Sequence, residues 1–257
     1  MRPITANYHT HTPRCKHAWG TEEEYIEAAI ANGLQVLGFS DHVPVPYPDG
    51  YVSGIRMDPP EITDYTETLG KLRERYRGQI ELLIGYEVEY MPRFFHETME
   101  LIHTCPVDYL IQGQHFVPDE VDGFYSGKPT GSEKDLAAYV DLTIEGMETG
   151  LFSCLAHPDL INYVGENTIY EKHIARLVEA AKRLGLPLEI NLLGFLTHRN
   201  YPDERFLSLA SAMGADFVIG CDAHVPSQIL QPEEVPGFAA LLEKYGIEPV
   251  ERLPQII

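Results

Sequence analysis

Histidine is the side chain to follow first. The 257-residue chain carries 11 of them. Seven fall, with two acids, into short clusters: His9 and His11 as an H-x-H pair, His17, His42 directly after Asp41, Glu87, His115, His157, and Asp222 with His224 as a D-x-H pair. Imidazole and carboxylate are ligands for Zn, Fe and Mn. In an extended strand residues i and i+2 project to one side, so His9 and His11 can present two imidazoles to one ion, and a turn can do likewise. Gathered at one rim without metal, these groups would leave many desolvated donors, acceptors and charges. The set suffices for about three divalent ions, with water completing the shells.

The elements that must gather them are legible from periodicity. Short apolar or alternating runs at residues 4–9, 35–41, 80–87, 108–115, 151–157, 186–191 and 216–222 read as seven strands. Between them lie amphipathic stretches that read as helices, at 61–76, 94–103, 133–150, 170–184, 203–213 and 236–245, after a first helix opened by the capping-box sequence Thr21-Glu22-Glu23-Glu24 and stopped near Gly33. Strand and helix alternation predicts a parallel sheet, as a barrel or a doubly wound sheet, in a single domain over residues 1–257. Every clustered histidine and acid then stands at or just past the C-terminal end of a strand, where α/β folds bind substrates. Two long loops, 43–60 and 117–130, follow strand ends and border the same place.

Composition narrows the classes of function. Nineteen basic against 39 acidic residues give a net charge of −20, which opposes binding to phosphate backbones and anionic membranes. No apolar run approaches the ~20 residues of a membrane span, and the N-terminus does not read as a signal peptide. Cys15, Cys105, Cys154 and Cys221 form no C-x-x-C pair, so a reducing, cytoplasmic location is expected. Oligomeric state cannot be read from charge.

The ordered constellation of H-x-H, His17, Asp41-His42, Glu87, His115, His157 and D-x-H resembles the polymerase and histidinol phosphatase (PHP) superfamily over nearly the whole chain. The stretches Gly38-Phe39-Ser40-Asp41-His42 and Gly85-Tyr86-Glu87-Val88-Glu89-Tyr90 look most like its stand-alone histidinol-phosphate phosphatases. The resemblance implies a distorted (β/α)7 TIM-like barrel with a trinuclear Zn, Fe or Mn centre at the C-terminal rim. Its ligands would be His9, His11, His17, His42, Glu87, His115, His157, Asp222 and His224, with Glu87 bridging two ions. It also implies hydrolysis of a small phosphorylated substrate, L-histidinol phosphate first, as in histidine synthesis.

In such a reaction metal coordination lowers the pKa of a water toward ~7, so that a bridging hydroxide can attack the phosphoryl group. Arg199 is expected to bind the phosphate through its planar fork. Asp41 either protonates the leaving oxygen or orients a ligating histidine. One departure from the family pattern stands out: after His157-Pro158 the chain reads Asp159-Leu160-Ile161-Asn162-Tyr163, without the expected phosphate-binding arginine. This keeps open a PHP phosphoesterase acting on a nucleotide bisphosphate, a sugar or cyclic phosphate, or phosphotyrosine. Tyr47, Tyr51, Phe116 and Tyr125 are candidates to pack around substrate, and Glu89 and Glu120 to pair with a substrate amine. Lys16 and His198 lie near the site loops, within reach of a phosphate, but read better as solvated loop side chains, and His96, His103 and His173 fall on helices away from the rim.

Overall fold

The computed structural model describes residues 3–48 and 50–253. Seven parallel strands form one sheet in chain order: β1 (Ala6–Asn7), β2 (Val36–His42), β3 (Glu81–Val88), β4 (Tyr109–Gln112), β7 (Cys154–Leu155), β8 (Leu188–Asn191) and β9 (Phe217–Gly220). The sheet curls into a nearly closed, distorted TIM-like barrel. Its first and last strands meet at the C-terminal end, where a parallel bridge joins Thr10 to Ala223 and the His11 N–H donates to the Ala223 carbonyl at 2.9 Å. Below that bridge Asn7 substitutes its side chain for the missing ladder, accepting from the Cys221 N–H at 2.8 Å.

The helices cover the outside: α1 (Glu22–Ala31), α2 (Ile62–Arg75), α3 (Phe95–Ile102), α4 (Glu133–Glu148), α5 (Asn167–Leu184), α6 (Leu192–Leu196), α7 (Glu204–Ala212) and α8 (Phe238–Lys244). The Thr21–Glu24 capping box starts α1 as the sequence indicates, and Gly33 follows its end at φ 74. Three expectations shift. Helix α5 begins at Asn167, three residues earlier than its apolar stripe predicts. The short α6 is an addition, started by the Asn191 side chain, which accepts from the Gly194 N–H at 2.8 Å. Loop 117–130 forms part of a hairpin, β5 (Phe116–Val117) with β6 (Phe124–Tyr125).

Alternation along the strands sorts the side chains into two clusters. Leu37, Phe39, Leu82, Ile84, Leu110, Leu188, Ile190, Phe217 and Ile219 pack outward into the apolar layer shared with the helices. Val36, Leu83, Tyr109, Ile111, Cys154 and Val218 fill the barrel interior. Carried toward the rim, the inward period of two reaches His42 on β2, Glu87 on β3, His115 past β4, Glu189 and Asn191 on β8, and Asp222 past β9. The barrel interior therefore ends in ionisable groups. Past β7 the period breaks at His157, which takes φ 27; Asp222, past β9, keeps the period but takes φ 50, and both are left-handed conformations that cost energy in any residue but glycine.

Candidate metal centre

All nine predicted ligands converge. His9, His11, Glu87, His157 and Asp222 are buried, His42 is 5% exposed, and His17, His115 and His224 face a cavity of about 360 Å³ at the rim. Glu87 stands in the middle. Its Oε1 lies 2.8 Å from Nε2 of His157 and 3.5 Å from Nε2 of His115. Its Oε2 lies 3.0 Å from Nδ1 of His42, 3.5 Å from Nε2 of His9 and 3.7 Å from Nε2 of His11. Asp222 Oδ1 is 3.1 Å from Nε2 of His11 and 3.4 Å from Nε2 of His9. Atoms sharing one ion at bond lengths of about 2.0–2.1 Å stand about 2.9–3.4 Å apart; three of these seven separations fall in that range and three more lie within 0.1 Å of it. Several groups of three, among them His9-Glu87-His157, His9-His11-Asp222 and His11-His42-His224, bring their ligand atoms close enough to hold an ion.

The tautomers test whether cations fit. Nδ1 of His17 lies 2.7 Å from the Cys15 carbonyl and Nδ1 of His224 lies 2.9 Å from the Asp222 carbonyl. A carbonyl only accepts, so both Nδ1 atoms carry the proton. The Nε2 atoms, which hold the remaining lone pairs, face one another at 3.0 Å. The arrangement recurs at His9 and His11: Nδ1 of His9 is 2.7 Å from Glu189 Oε1, Nδ1 of His11 is 3.4 Å from Asp41 Oδ1, and the two Nε2 atoms face one another at 3.1 Å. Opposed lone pairs repel unless a cation or proton lies between them. Beside them Glu87 Oε2 is buried and without a hydrogen-bond donor. The donor set fits divalent ions.

Charge in the cluster is correspondingly divided. Against the cost of burial, the imidazoles of His115, His42 and His9 hold the Glu87 carboxyl well below the usual carboxylate range. Asp222 is likewise held down, by His9 and His11. Also against burial, Glu189, Asp222 and Glu87 push His9 up to about 10. Burial and the neighbouring His11 push His224 down to about 3.

Two glycines make room for the acids. A Cβ on Gly113 would stand 1.9 Å from Glu87 Oε1, and one on Gly220 would stand 1.7 Å from Glu189 Oε1. Glu189 is the functional side chain that reading the sequence missed. It sits inside the barrel on β8, holds His9, and accepts from the His157 N–H at 3.0 Å and from Asn191 Nδ2 at 2.9 Å. The same Asn191 nitrogen donates to Asp222 Oδ2 at 3.1 Å. A lone acid in the alternating run Leu188-Glu189-Ile190-Asn191 is the signal that pointed inward.

Asp41 lies behind His11, fully buried; its Oδ2 accepts from the Thr12 hydroxyl and, at 3.2 Å, from the Thr12 N–H. It does not border the cavity, whose other walls are Ile55, Phe116, Tyr125, Arg199 and Tyr201. Arg199 is the one Lys or Arg among the described residues that lines it, and its Nη1 donates to the Tyr201 hydroxyl at 2.6 Å. Phe116 and Tyr125 line it as expected, but Tyr47 and Tyr51 turn away and donate to Glu120 at 2.9 and 3.3 Å. The expected amine-binding role of Glu89 and Glu120 is corrected: both carboxylates are engaged by the buried Arg56. Lys16 pairs with Asp58 at 2.8 Å and His173 with Glu133 at 3.0 Å, outside the site.

A parallel seven-stranded barrel carrying this histidine and carboxylate set at its rim defines a metal-binding α/β-barrel class. The chain belongs to the PHP domain family, whose pattern it matches over residues 7–192. A probable histidinol-phosphatase of Deinococcus radiodurans is 28% identical over 233 residues, covering 86% of each chain. Another, of Schizosaccharomyces pombe, is 27% identical over 254 residues, covering 88% of this chain and 82% of the relative. Among solved structures, the histidinol phosphate phosphatase of Lactococcus lactis, complexed with zinc, L-histidinol and phosphate, superposes with a TM-score of 0.72 at 18% identity, covering 98% of this chain and 99% of that one. The fold is therefore shared with that protein. Among the described residues no helix is long and apolar enough to cross a membrane.

Proposed function

We propose that this chain is a metal-dependent phosphatase that hydrolyses phosphate monoesters, L-histidinol phosphate foremost, on a centre of three divalent ions of Zn, Fe or Mn. The observation that carries the reading is the pair of opposed Nε2 contacts, His9 with His11 at 3.1 Å and His17 with His224 at 3.0 Å, with Asp222 Oδ1 within 3.5 Å of His9, His11 and His224, the second pair lining a cavity that can admit a small ester. Relatives named as histidinol-phosphatases cover most of the chain and support the substrate.

His9, His11, His17, His42, Glu87, His115, His157, Asp222 and His224 would hold the ions, with Glu87 offering one oxygen to the His115–His157 side and the other to the His9–His11–His42 side. Divalent ions at such a site supply an activated water and neutralise charge on the phosphoryl oxygens. Arg199 adds a fixed positive charge at the cavity wall and binds the phosphate oxygens, steadied by the Tyr201 hydroxyl. Asp41, enclosed behind His11, orients that imidazole and fixes its tautomer; of its two expected roles this one suits the geometry. Ile55, Phe116 and Tyr125 bound the space for the leaving group.

A second reading keeps the metal chemistry and changes the ester. It is favoured because, among the described residues, Arg199 is the one Lys or Arg lining the cavity and no carboxylate outside the ligand set lines it to receive an amine. Measuring kcat/KM of manganese- or zinc-reconstituted protein on L-histidinol phosphate, a nucleoside 3′,5′-bisphosphate, phosphotyrosine and a sugar phosphate decides between them. A value of about 10⁴ M⁻¹s⁻¹ or more for histidinol phosphate alone is expected. Preference for another ester would overturn the substrate assignment.

A further inference from the structure

Arg56 is an arginine of the long loop 43–60, yet it is 1% exposed. Its Nε donates to Glu120 Oε2 at 2.7 Å and its Nη2 to Glu89 Oε2. Glu120 also accepts from the hydroxyls of Ser53 at 2.6 Å, Tyr47 at 2.9 Å and Tyr51 at 3.3 Å. Glu89, just past β3, turns its other oxygen to the main chain after β4. That Oε1 accepts from the N–H groups of His115, at 2.8 Å, and Phe116, and from Gln114 Nε2 at 3.4 Å. Glu89 Oε2 is at the same time 3.7 Å from Nδ1 of His115, an atom with no hydrogen-bond partner.

We infer that Arg56 is a positioning residue of the metal centre: through Glu89 it fixes the main chain and ring of His115 and couples loop 43–60 to that ligand. The inference rests on the metal reading above. Three ligating imidazoles have a carboxylate behind Nδ1: His9 has Glu189, His11 has Asp41 and His115 has Glu89. Of these three acids only Glu89 is held by an arginine among the described residues. That arginine comes from the segment that also supplies a cavity wall, because Ile55 is its neighbour and Phe116 is the neighbour of His115.

Stability alone gives little reason for this arrangement. A buried ion pair costs desolvation that a packed apolar side chain of the same size avoids, so its return is in fixed geometry. A guanidinium also presents two donors in one plane, which lets one side chain hold Glu120 from one loop and Glu89 from the sheet together. Arg56 Nη1 remains buried and unpartnered, so the pairing with both acids is bought at the expense of a third donor. Displacing the loop then displaces His115.

The test uses the full chain, stripped of metal and reloaded with Co²⁺, whose visible absorption reports ligand geometry. Arg56→Met, Arg56→Lys and Glu89→Gln are compared with wild type by cobalt bound per chain, visible spectrum, far-UV circular dichroism and melting temperature. The expected result is that Arg56→Met weakens the weakest cobalt site about ten-fold or more and changes the spectrum, while Arg56→Lys, which keeps the charge and loses the fork, recovers part of both. If Arg56→Met does not fold, Arg56→Lys and Glu89→Gln decide by the same readouts. Wild-type affinity and spectrum in those two variants, with only the melting temperature lowered, would overturn the inference. Failure of wild-type protein to bind cobalt would overturn the metal reading itself, and this inference with it.

Discussion

Nδ1 of His9 stands 2.7 Å from Oε1 of Glu189, and Gly220 leaves the space in which that oxygen sits. The carboxylate fixes the imidazole so that Nε2 faces the ligand cluster. Glu189→Gln keeps a hydrogen-bonding side chain but removes the charge behind the ring, so metal affinity should fall about ten- to hundred-fold. Gly220→Ala should act in the same direction from the opposite wall, since its Cβ would collide with Glu189. Chelator-competition titration reads both, and unchanged affinity in Glu189→Gln would contradict the role.

Arg199 is the fixed cation of the cavity. Replacing it with Lys keeps a charge and loses the planar fork, so kcat/KM should fall about ten- to hundred-fold, the scale of one charge-assisted hydrogen bond, with metal content intact. Steady-state kinetics alongside metal analysis checks this. Loss of metal would assign Arg199 to structure instead.

Glu120 gives the account a pH signature. Burial raises its pKa, but Arg56 and the surrounding hydroxyls outweigh burial and hold it below the usual glutamate value. A carboxyl lowered in the folded state stabilises above its unfolded pKa of about 4.3, and that stability drains away as pH falls through the folded value. Metal-stripped Glu120→Gln should therefore lose less melting temperature than metal-stripped wild type between pH 5 and the acid limit of folding. Parallel curves would show that the pairing contributes nothing there.

Removing the metal should destabilise the whole fold, because the ligands come from six of the seven barrel strands or the turns after them. Ions bound only by the folded state at a hundred times their Kd contribute about 2.7 kcal/mol per site, or roughly 5–10 °C in a chain of this size. Scanning calorimetry of chelated and reloaded protein measures the shift. Identical transitions would mean that the cluster holds no ion in the folded state.

The parts of this molecule legible in the sequence are those whose signal is local. His9, His11, His42, Glu87, Asp222 and the rest declare themselves by residue type at the ends of alternating runs, and the Thr21–Glu24 box marks its helix within four residues. The illegible parts depend on partners far along the chain. Arg56 lies in a loop rich in Pro, Gly and Tyr and has every mark of a solvated charge; its burial is decided by Glu89 and Glu120, 33 and 64 residues away. Glu189 is hidden because the His9 ring, the His157 N–H and the space left by Gly220 that fix it come from other parts of the barrel. The inward swing of His157 is likewise written in a φ of 27 that no composition rule assigns to histidine.

The most direct test of the central claim is the number of divalent ions per chain, by mass spectrometry of wild-type protein and Glu87→Gln purified with Mn²⁺ or Zn²⁺ present. Glu87 touches both halves of the cluster, so the account predicts three ions in wild type and the loss of the two it bridges in the variant, with turnover nearly abolished. Full occupancy and normal kcat in Glu87→Gln would contradict it.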